Sequence, residues 1–186
     1  MVDIPYYILM SLVFFLPAFA ANPAAVLTGG GTKMDFGLNF RDGRRILGDG
    51  KSWRGFILGS LSGSVFGFVI FIPLAYYSII PGSFPGNLPA AWFISLSLGF
   101  GALSGDAIGS FVKRRLNMGR GHNAGLLDQW PFVLTAFLFL YLVNSAFFMK
   151  YYGNVIGILT ILIVTPPLHR AINIIGYRMR KKEVPW

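Results

Sequence analysis

The sequence predicts an all-α integral membrane protein with five transmembrane helices. Of its 186 residues, 54% are apolar and only 12% are charged, and its mean hydropathy is +0.60. Soluble domains usually contain about 25% charged residues. Five apolar runs are each long enough to cross about 30 Å of hydrocarbon. The charges gather between alternate runs, and we expect residues 1–186 to form a single polytopic membrane domain. The absence of cysteine excludes thiol catalysis and disulfides.

The five helices are assigned from these apolar runs. They are predicted near residues 4–21, 55–80, 89–112, 130–149 and 155–175. A cleaved signal peptide is the alternative for the first run, but it lacks a basic start, and Asp3 is the only charge before Lys33. We therefore expect a retained helix. Pro73, Pro166 and Pro167 should bend their helices without ending them, because neighbouring helices can satisfy the freed carbonyl groups.

The positive charges predict the orientation in the membrane. Fifteen of the sixteen Lys and Arg residues fall in loop 22–54, in loop 113–129, or from Arg170 through the basic tail 176–186, which leaves Lys150 alone on the other side. Cytoplasmic segments of membrane proteins carry the excess of Lys and Arg. We therefore expect a multi-pass protein of the cell membrane, with both long loops and the C-terminus in the cytoplasm and the N-terminus outside.

Acidic residues on the same side go beyond a topology signal. Asp106 follows an apolar run and precedes six uncharged residues, a position where an ionised carboxylate costs several kcal/mol unless it is paired or binds a cation. A structural ion pair is one interpretation. Ser110 and Lys113 share a helix face with Asp106, and this combination also suits a metal-bound polyphosphate. For Gly101, Gly105 and Gly109, spaced four apart, tight helix packing is a sufficient explanation.

Asp128 lies just before the fourth predicted helix, which has Pro131 near its start. Aspartate is a preferred helix cap, and proline is tolerated in the first turn, so a capping role is one interpretation. The other is a second carboxylate beside Asp106 for a divalent ion. Magnesium commonly takes one or two protein carboxylates and completes its octahedron with phosphate oxygens and water.

The first long loop combines glycines with alternating charges. Consecutive N–H groups of Gly29–Gly31 can bind an anion, although flexible linkers also contain such runs. The segment GDGKS is not a Walker A loop, because Arg45 stands where that motif requires glycine. The remaining acids alternate with cations at Asp35, Asp42 and Asp49. This pattern favours a folded loop that contacts substrate.

The motif-bearing segments resemble those of CDP-archaeol synthases, the archaeal branch of the CDP-diacylglycerol synthase family. The resemblance rests on the strings NPxAVLTGGGT, DxGxxFxDGRRILGDGKxWRG, GDxxGSFxKRR and RGxxxxxLDQ, and on a basic tail that ends in Pro-Trp. They match, in order, residues 22–32, 35–55, 105–115, 120–129 and 185–186.

The resemblance implies a CTP-dependent cytidylyltransferase that acts on 2,3-di-O-geranylgeranylglyceryl phosphate with Mg²⁺ as cofactor. The expected catalytic residues are Asp106, Asp128 and Lys113, and the two aspartates are the expected metal ligands. The expected CTP-binding residues are Asn22, Gly29, Gly30, Gly31, Thr32, Asp42, Arg44, Asp49 and Lys51. The expected phosphate-binding residues are Arg114, Arg120, Ser110 and His122. No nucleic-acid partner is expected.

Two other classes of function remain open. A small transporter or channel could use Asp106 as an intramembrane site for a coupling ion, but it should place polar residues at the midplane of several helices, and these are almost wholly apolar here. A non-catalytic partner could dock through the basic face, and it would not require the carboxylates. His169 is expected only to pack at a helix end.

Overall fold

The computed structural model describes residues 3–76, 87–119, 121–181 and 184–185. These residues form six α-helices and one short 3₁₀ helix. The α-helices are α1 (Ile4–Thr28), α2 (Trp53–Tyr76), α3 (Leu88–Arg115), α4 (Trp130–Val143), α5 (Ser145–Tyr151) and α6 (Val155–Arg178), and the 3₁₀ helix is Gly125–Asp128. In the described part of the chain, α1, α2, α3 and α6 are long and apolar enough to cross a membrane. The prediction of an all-helical, multi-pass protein is confirmed; the end of the second predicted helix, residues 77–80, lies outside the described residues.

Helix α1 extends seven residues beyond its predicted end at residue 21. Asp3 is its N-cap, and the Asp3 carboxylate accepts a hydrogen bond from the Tyr6 N–H at 3.1 Å. Pro17 and Pro23 lie inside the helix without ending it, because its C-terminal half packs closely on α2. The Asn-Pro pair at residues 22–23 therefore does not start the loop, and Asn22 lies on a helix that reaches the site.

The fourth predicted helix, residues 130–149, is two helices. Asn144 leaves the helical conformation at φ −150° and ψ 84°, and its side chain accepts a hydrogen bond from the Phe147 N–H at 2.9 Å. Asparagine competes for backbone groups in this way, which favours a cap over a helix interior. The 14 residues of α4 span about 21 Å, which is less than the hydrocarbon thickness.

Glycine faces allow the helices to approach closely. A Cβ on Gly63 of α2 would lie 2.6 Å from the Pro17 carbonyl oxygen of α1, and a Cβ on Gly101 of α3 would lie 2.7 Å from Ala136 Cα of α4. The packing role predicted for the glycines of α3 is confirmed. The same spacing in α2 places Gly55, Gly59, Gly63 and Gly67 against α1. This packing brings the C-terminal ends of α1 and α3 and the start of α2 together at one end of the bundle, where α6 also ends.

Candidate active site

The first long loop is folded around a buried carboxylate. Asp35 is 4% exposed and binds Arg45 through both oxygens, at 2.7 and 3.3 Å. It also accepts hydrogen bonds from three backbone N–H groups, those of Gly37, Leu47 and Gly48. Burial by itself would raise the pKa of Asp35, but the hydrogen bonds from Arg45 and the backbone hold it well below its usual range. Asp35 therefore stays ionised and fixes the course of the loop.

Backbone pairing completes this fold. Two isolated antiparallel bridges join Lys33 to Ser52 and Asn39 to Arg45. The Ser52 hydroxyl accepts hydrogen bonds from the N–H groups of Gly30, at 3.2 Å, and Gly55, at 3.1 Å, so it joins the end of α1 to the start of α2. The loop is thus folded, as predicted. The Gly30 N–H donates to Ser52, which leaves it bound within the protein and not presented to an anion as the glycine run suggested.

Arg115, the last residue of α3, binds the first long loop and holds it against the end of that helix. Its guanidinium donates to Asp42 Oδ1 at 2.8 Å and to the carbonyl oxygens of Arg45, at 2.5 Å, and Arg44, at 3.3 Å. It also lies over the ring of Phe40, 4.7 Å from the ring centroid. In return, Arg44 donates to the Arg115 carbonyl oxygen at 2.7 Å. Arg115 was not among the predicted site residues.

Two cavities meet at the end of the bundle where these loops lie. The first, of about 550 Å³, has apolar walls from α1 and α6 and a polar end formed by Asn22, Gly29, Gly30, Asp49, Lys51, Asp106, His169 and Asn173. The second, of about 440 Å³, is lined largely by polar groups and cations, including Arg44, Asp49, Lys51, Ser110, Lys113 and Arg114. Asp49 and Lys51 line both cavities, so the two spaces share a wall.

An ion pair lies at the junction of the cavities. Lys51 Nζ lies 2.5 Å from Asp106 Oδ2, and the two side chains are 24% and 34% exposed. Lys113 is close enough for its charge to act on Asp106, as the shared helix face predicted. Asp49 binds Lys33 and also Arg45, the latter at 2.9 Å. The hydrogen bond from Lys33 and then that from Arg45 lower the pKa of Asp49, so the shared wall carries ionised groups of both signs.

The structure brings together most, but not all, of the predicted site residues. Within the described ranges, those that line neither cavity are Gly31, Thr32, Asp42, His122 and Asp128. Arg120 lies outside the described residues. Of these, Asp42 faces Arg115, the Thr32 carbonyl oxygen accepts from the Trp53 N–H at 3.0 Å, and His122 is exposed.

The surroundings of Asp128 differ from those of Asp106. Its Oδ1 lies 2.5 Å from Lys113 Nζ, and its Oδ2 accepts a hydrogen bond from the Ala124 N–H at 2.9 Å. The residue at the N-cap of α4 is Gln129, whose side chain makes no capping hydrogen bond. Asp128 therefore closes the turn before α4 and holds Lys113, so it neither caps α4 nor lines a cavity.

Helix α6 supplies two cavity residues that the sequence interpretation missed. His169, expected only to pack at a helix end, lines the first cavity together with Asn173. The His169 Nδ1 and Asn173 Nδ2 atoms are 3.1 Å apart. The signal that could have found them is a pair of polar residues four apart, on one face of an otherwise apolar helix.

The oxygen groups at the polar end fit a magnesium ion that is completed by substrate. Asp106 faces the first cavity with Asp49 and the amide of Asn22, and Mg²⁺ prefers oxygen ligands of this kind. Residues 3–76, 87–119, 121–181 and 184–185 contain no group of three acidic, His or Cys side chains that could hold a metal by themselves. Magnesium typically keeps waters and phosphate oxygens around one or two carboxylates, so this sparse set is compatible with it.

The helices and cavities define an integral membrane protein with a polar, cation-rich site at one end of an apolar bundle. The sequence matches the CarS-like family, CDP-archaeol synthase, over residues 3–186. It is 49% identical to the CDP-archaeol synthase of Picrophilus torridus over 96% of this chain and 97% of the relative. The chain belongs to this family. The predicted resemblance is confirmed, and with it the prediction of a CTP-dependent cytidylyltransferase of archaeal lipid synthesis.

Further relatives and a solved structure agree. The CDP-archaeol synthase of Pyrococcus horikoshii is 44% identical over 93% of this chain and 94% of its own. A solved structure of an intramembrane enzyme for archaeal membrane lipids biosynthesis superposes with a TM-score of 0.69 at 35% identity, covering 90% of this chain and 94% of that one. The transporter alternative is not favoured by these comparisons.

Proposed function

We propose that this protein transfers CMP from CTP to 2,3-di-O-geranylgeranylglyceryl phosphate, giving CDP-archaeol and pyrophosphate. The observation that carries the proposal is the contact between two unlike cavities: a cation-rich one suited to phosphates and one with apolar walls suited to a lipid. The ion pair of Lys51 and Asp106 lies at their junction. A reaction between a polar nucleotide and an apolar lipid phosphate needs such a junction.

The reaction makes modest chemical demands on the protein. An oxygen of the lipid phosphate attacks the α-phosphorus of CTP, a new P–O bond forms, and the bond to the bridging oxygen breaks to release pyrophosphate. The lipid phosphate is already an anionic nucleophile, so catalysis consists of alignment and stabilisation of charge. Arg44, Lys113 and Arg114 line the second cavity and would donate to the triphosphate, with Ser110 as a neutral donor beside them.

Asp106 is the proposed principal ligand of Mg²⁺, with Asn22 and Asp49 on the same cavity wall. When bound, the ion would neutralise phosphate charge on CTP. Asp128 was predicted as a second ligand, but its contact with Lys113 supports a different role: it positions the Lys113 ammonium. Arg120 remains a predicted phosphate ligand, and His122, Gly31 and Thr32 remain predicted contacts.

The first cavity would hold the lipid. Leu27 of α1, Ile175 of α6 and Met179, the residue after α6, line this cavity, and each is more than half exposed. Apolar side chains that belong both to a cavity and to the surface in contact with lipid offer the isoprenoid tails an entry between α1 and α6. The phosphate would then meet Lys51 at the polar end.

The short helices α4 and α5 bear on the membrane topology. We propose that α4 and α5 together make the fifth crossing, since Trp130 through Tyr151 comprises 22 residues, about 33 Å of helix if it were continuous. Both long loops and the C-terminal tail would then face the cytoplasm, which is the side that supplies CTP.

The proposed substrates can be tested with purified protein in detergent. The protein is incubated with CTP, Mg²⁺ and either the archaeal ether-lipid phosphate or a diacyl lipid phosphate, and pyrophosphate release is followed together with the mass of the lipid product. We expect release with the archaeal lipid and a product heavier by one CMP unit. No release with either lipid would overturn the enzymatic proposal, and equal release with both would overturn the lipid assignment.

A further inference from the structure

The wall that α6 contributes to the first cavity carries a polar pair. His169 and Asn173 lie one turn apart, are hydrogen-bonded to each other, and line the same cavity as Lys51 and Asp106. Asn173 is only 3% exposed. A buried amide needs hydrogen-bond partners, and His169 provides one from the same helix.

The surroundings hold the pair in a defined orientation. The imidazole of His169 is stacked on the ring of Phe132 from α4, with a centroid distance of 6.4 Å and an interplanar angle of 26°. One turn before His169, the buried Thr165 satisfies its hydroxyl within the helix by donating to the Ile161 carbonyl oxygen at 2.6 Å. His169 and Asn173 therefore form a fixed polar patch among the mainly apolar residues that α6 contributes to the cavity wall.

The position of the patch favours one of the two substrates. The second cavity, which holds the clustered cations Arg44, Lys113 and Arg114, is not lined by α6 among the described residues. The patch instead faces the cavity whose apolar walls include Leu168 and Ile172 from the same helix. A substrate with an apolar part alongside a polar head fits this wall best, which favours the lipid phosphate over CTP.

We propose that His169 and Asn173 bind the polar head of the lipid substrate, its phosphate and glycerol oxygens, in the cavity that Lys51 also lines. An amide N–H and an imidazole N–H are suitable donors to such oxygens. Lys51 approaches from the wall formed by the first loop, so the head is held between two walls while the tails leave between α1 and α6. The inference rests on the proposed function and adds the residues that recognise the second substrate.

The test separates binding of the two substrates. His169→Gln and Asn173→Leu are compared with wild type and with Arg170→Gln, an exposed neighbour on the same helix. KM is measured for lipid phosphate and for CTP, the Kd of CTP is measured by calorimetry without lipid, and Tm is recorded. We expect the lipid KM to rise about tenfold or more in both variants, because a lost hydrogen bond to a charged group has that effect. The Kd of CTP should change less than about twofold in both variants, and their Tm should not change. The control Arg170→Gln should keep the wild-type constants for both substrates.

Other outcomes would overturn the inference. A weaker Kd for CTP with an unchanged lipid KM would assign the pair to the nucleotide. Unchanged constants for both substrates would show that the pair only supports the helix. If Asn173→Leu lowers Tm, His169→Gln decides the test, and an unchanged lipid KM in that variant would also overturn the inference. Absence of pyrophosphate release by wild-type protein would instead refute the proposed function itself.

Discussion

Replacing Arg115 tests whether the first loop must be fastened to α3 for nucleotide binding. Arg115→Ala removes hydrogen bonds to Asp42 Oδ1 and to two carbonyl oxygens, at 2.8, 2.5 and 3.3 Å. It also removes the contacts of the guanidinium with the rings of Phe40 and Phe111, at 4.7 and 5.0 Å from their centroids. The helix interiors are untouched by this change, so its effect should be confined to the position of the loop.

The magnitude follows from these contacts. A hydrogen bond to a charged group contributes about 1.5–3 kcal/mol, and each ring contact about 0.5–1 kcal/mol. Asp42 is 37% exposed, so its ion pair is discounted to roughly 0.2–1 kcal/mol. Because such contributions are not additive, we expect a total of about 2–4 kcal/mol, which changes the ratio of docked to undocked loop about 30- to 700-fold. The apparent affinity for CTP falls with the fraction of docked loop.

The assay measures the KM for CTP and the rates of hydrogen exchange in the loop. We expect Arg115→Ala to raise the KM for CTP at least about tenfold and to accelerate hydrogen exchange at Phe40 and Ile46, whose N–H groups bond within the loop. Arg115→Lys keeps the charge but loses the fork of donors, so it should fall in between. Arg178→Ala, an exposed change in the last turn of α6, is the control. Wild-type KM and exchange rates in Arg115→Ala would refute the reasoning.

Three further predictions concern the loop, the helix packing and the second carboxylate. The pKa of Asp35 is held below its usual value of 3.8, so the wild-type loop should stay protected from hydrogen exchange at higher pH and lose protection only as pH falls below that value. Asp35→Asn should lose about 2 kcal/mol of local stability at neutral pH. Equal rates of hydrogen exchange in both proteins would contradict this prediction. Gly101→Leu, whose Cβ would lie 2.7 Å from a backbone atom of α4, should lower Tm, while Gly119→Ala, with open space around its Cβ, should not. Asp128→Asn should slow turnover about tenfold by releasing Lys113, with an unchanged Mg²⁺ requirement; a hundredfold loss with a shifted requirement would restore its role as a metal ligand.

The sequence predicted much of the fold because lipid constrains it strongly. Apolar runs of about 20 residues and the glycines of α3 are local signals, and both correspond to helices and packing in the structure. The extent of α1 past Pro23 depends on its packing against α2. The break at Asn144 depends on whether its side chain competes with the helix for a nearby backbone N–H group. A proline or asparagine read from sequence does not reveal whether a neighbouring helix will satisfy the freed groups.

The site was predictable where a charged residue stood at the end of an apolar run. Asp106 was singled out because a charged group at the end of an apolar run needs a partner or a ligand, and its partner is Lys51, an expected CTP-binding residue. The roles of Asp42 and Asp128 were harder to predict, since neither lines a cavity and each is bound to a cation. Which cation a carboxylate faces is set by the folded loop and not by spacing.

The rate of pyrophosphate release by Asp106→Asn is the most direct test of the central claim, that transfer occurs where the two cavities meet. With saturating CTP, lipid phosphate and Mg²⁺, we expect a rate at least about a hundredfold below wild type, because lost stabilisation of transition-state charge is typically worth several kcal/mol. Asp3→Asn, which changes an acid to an amide at the start of α1, should retain the wild-type rate. A wild-type rate in Asp106→Asn would contradict the account.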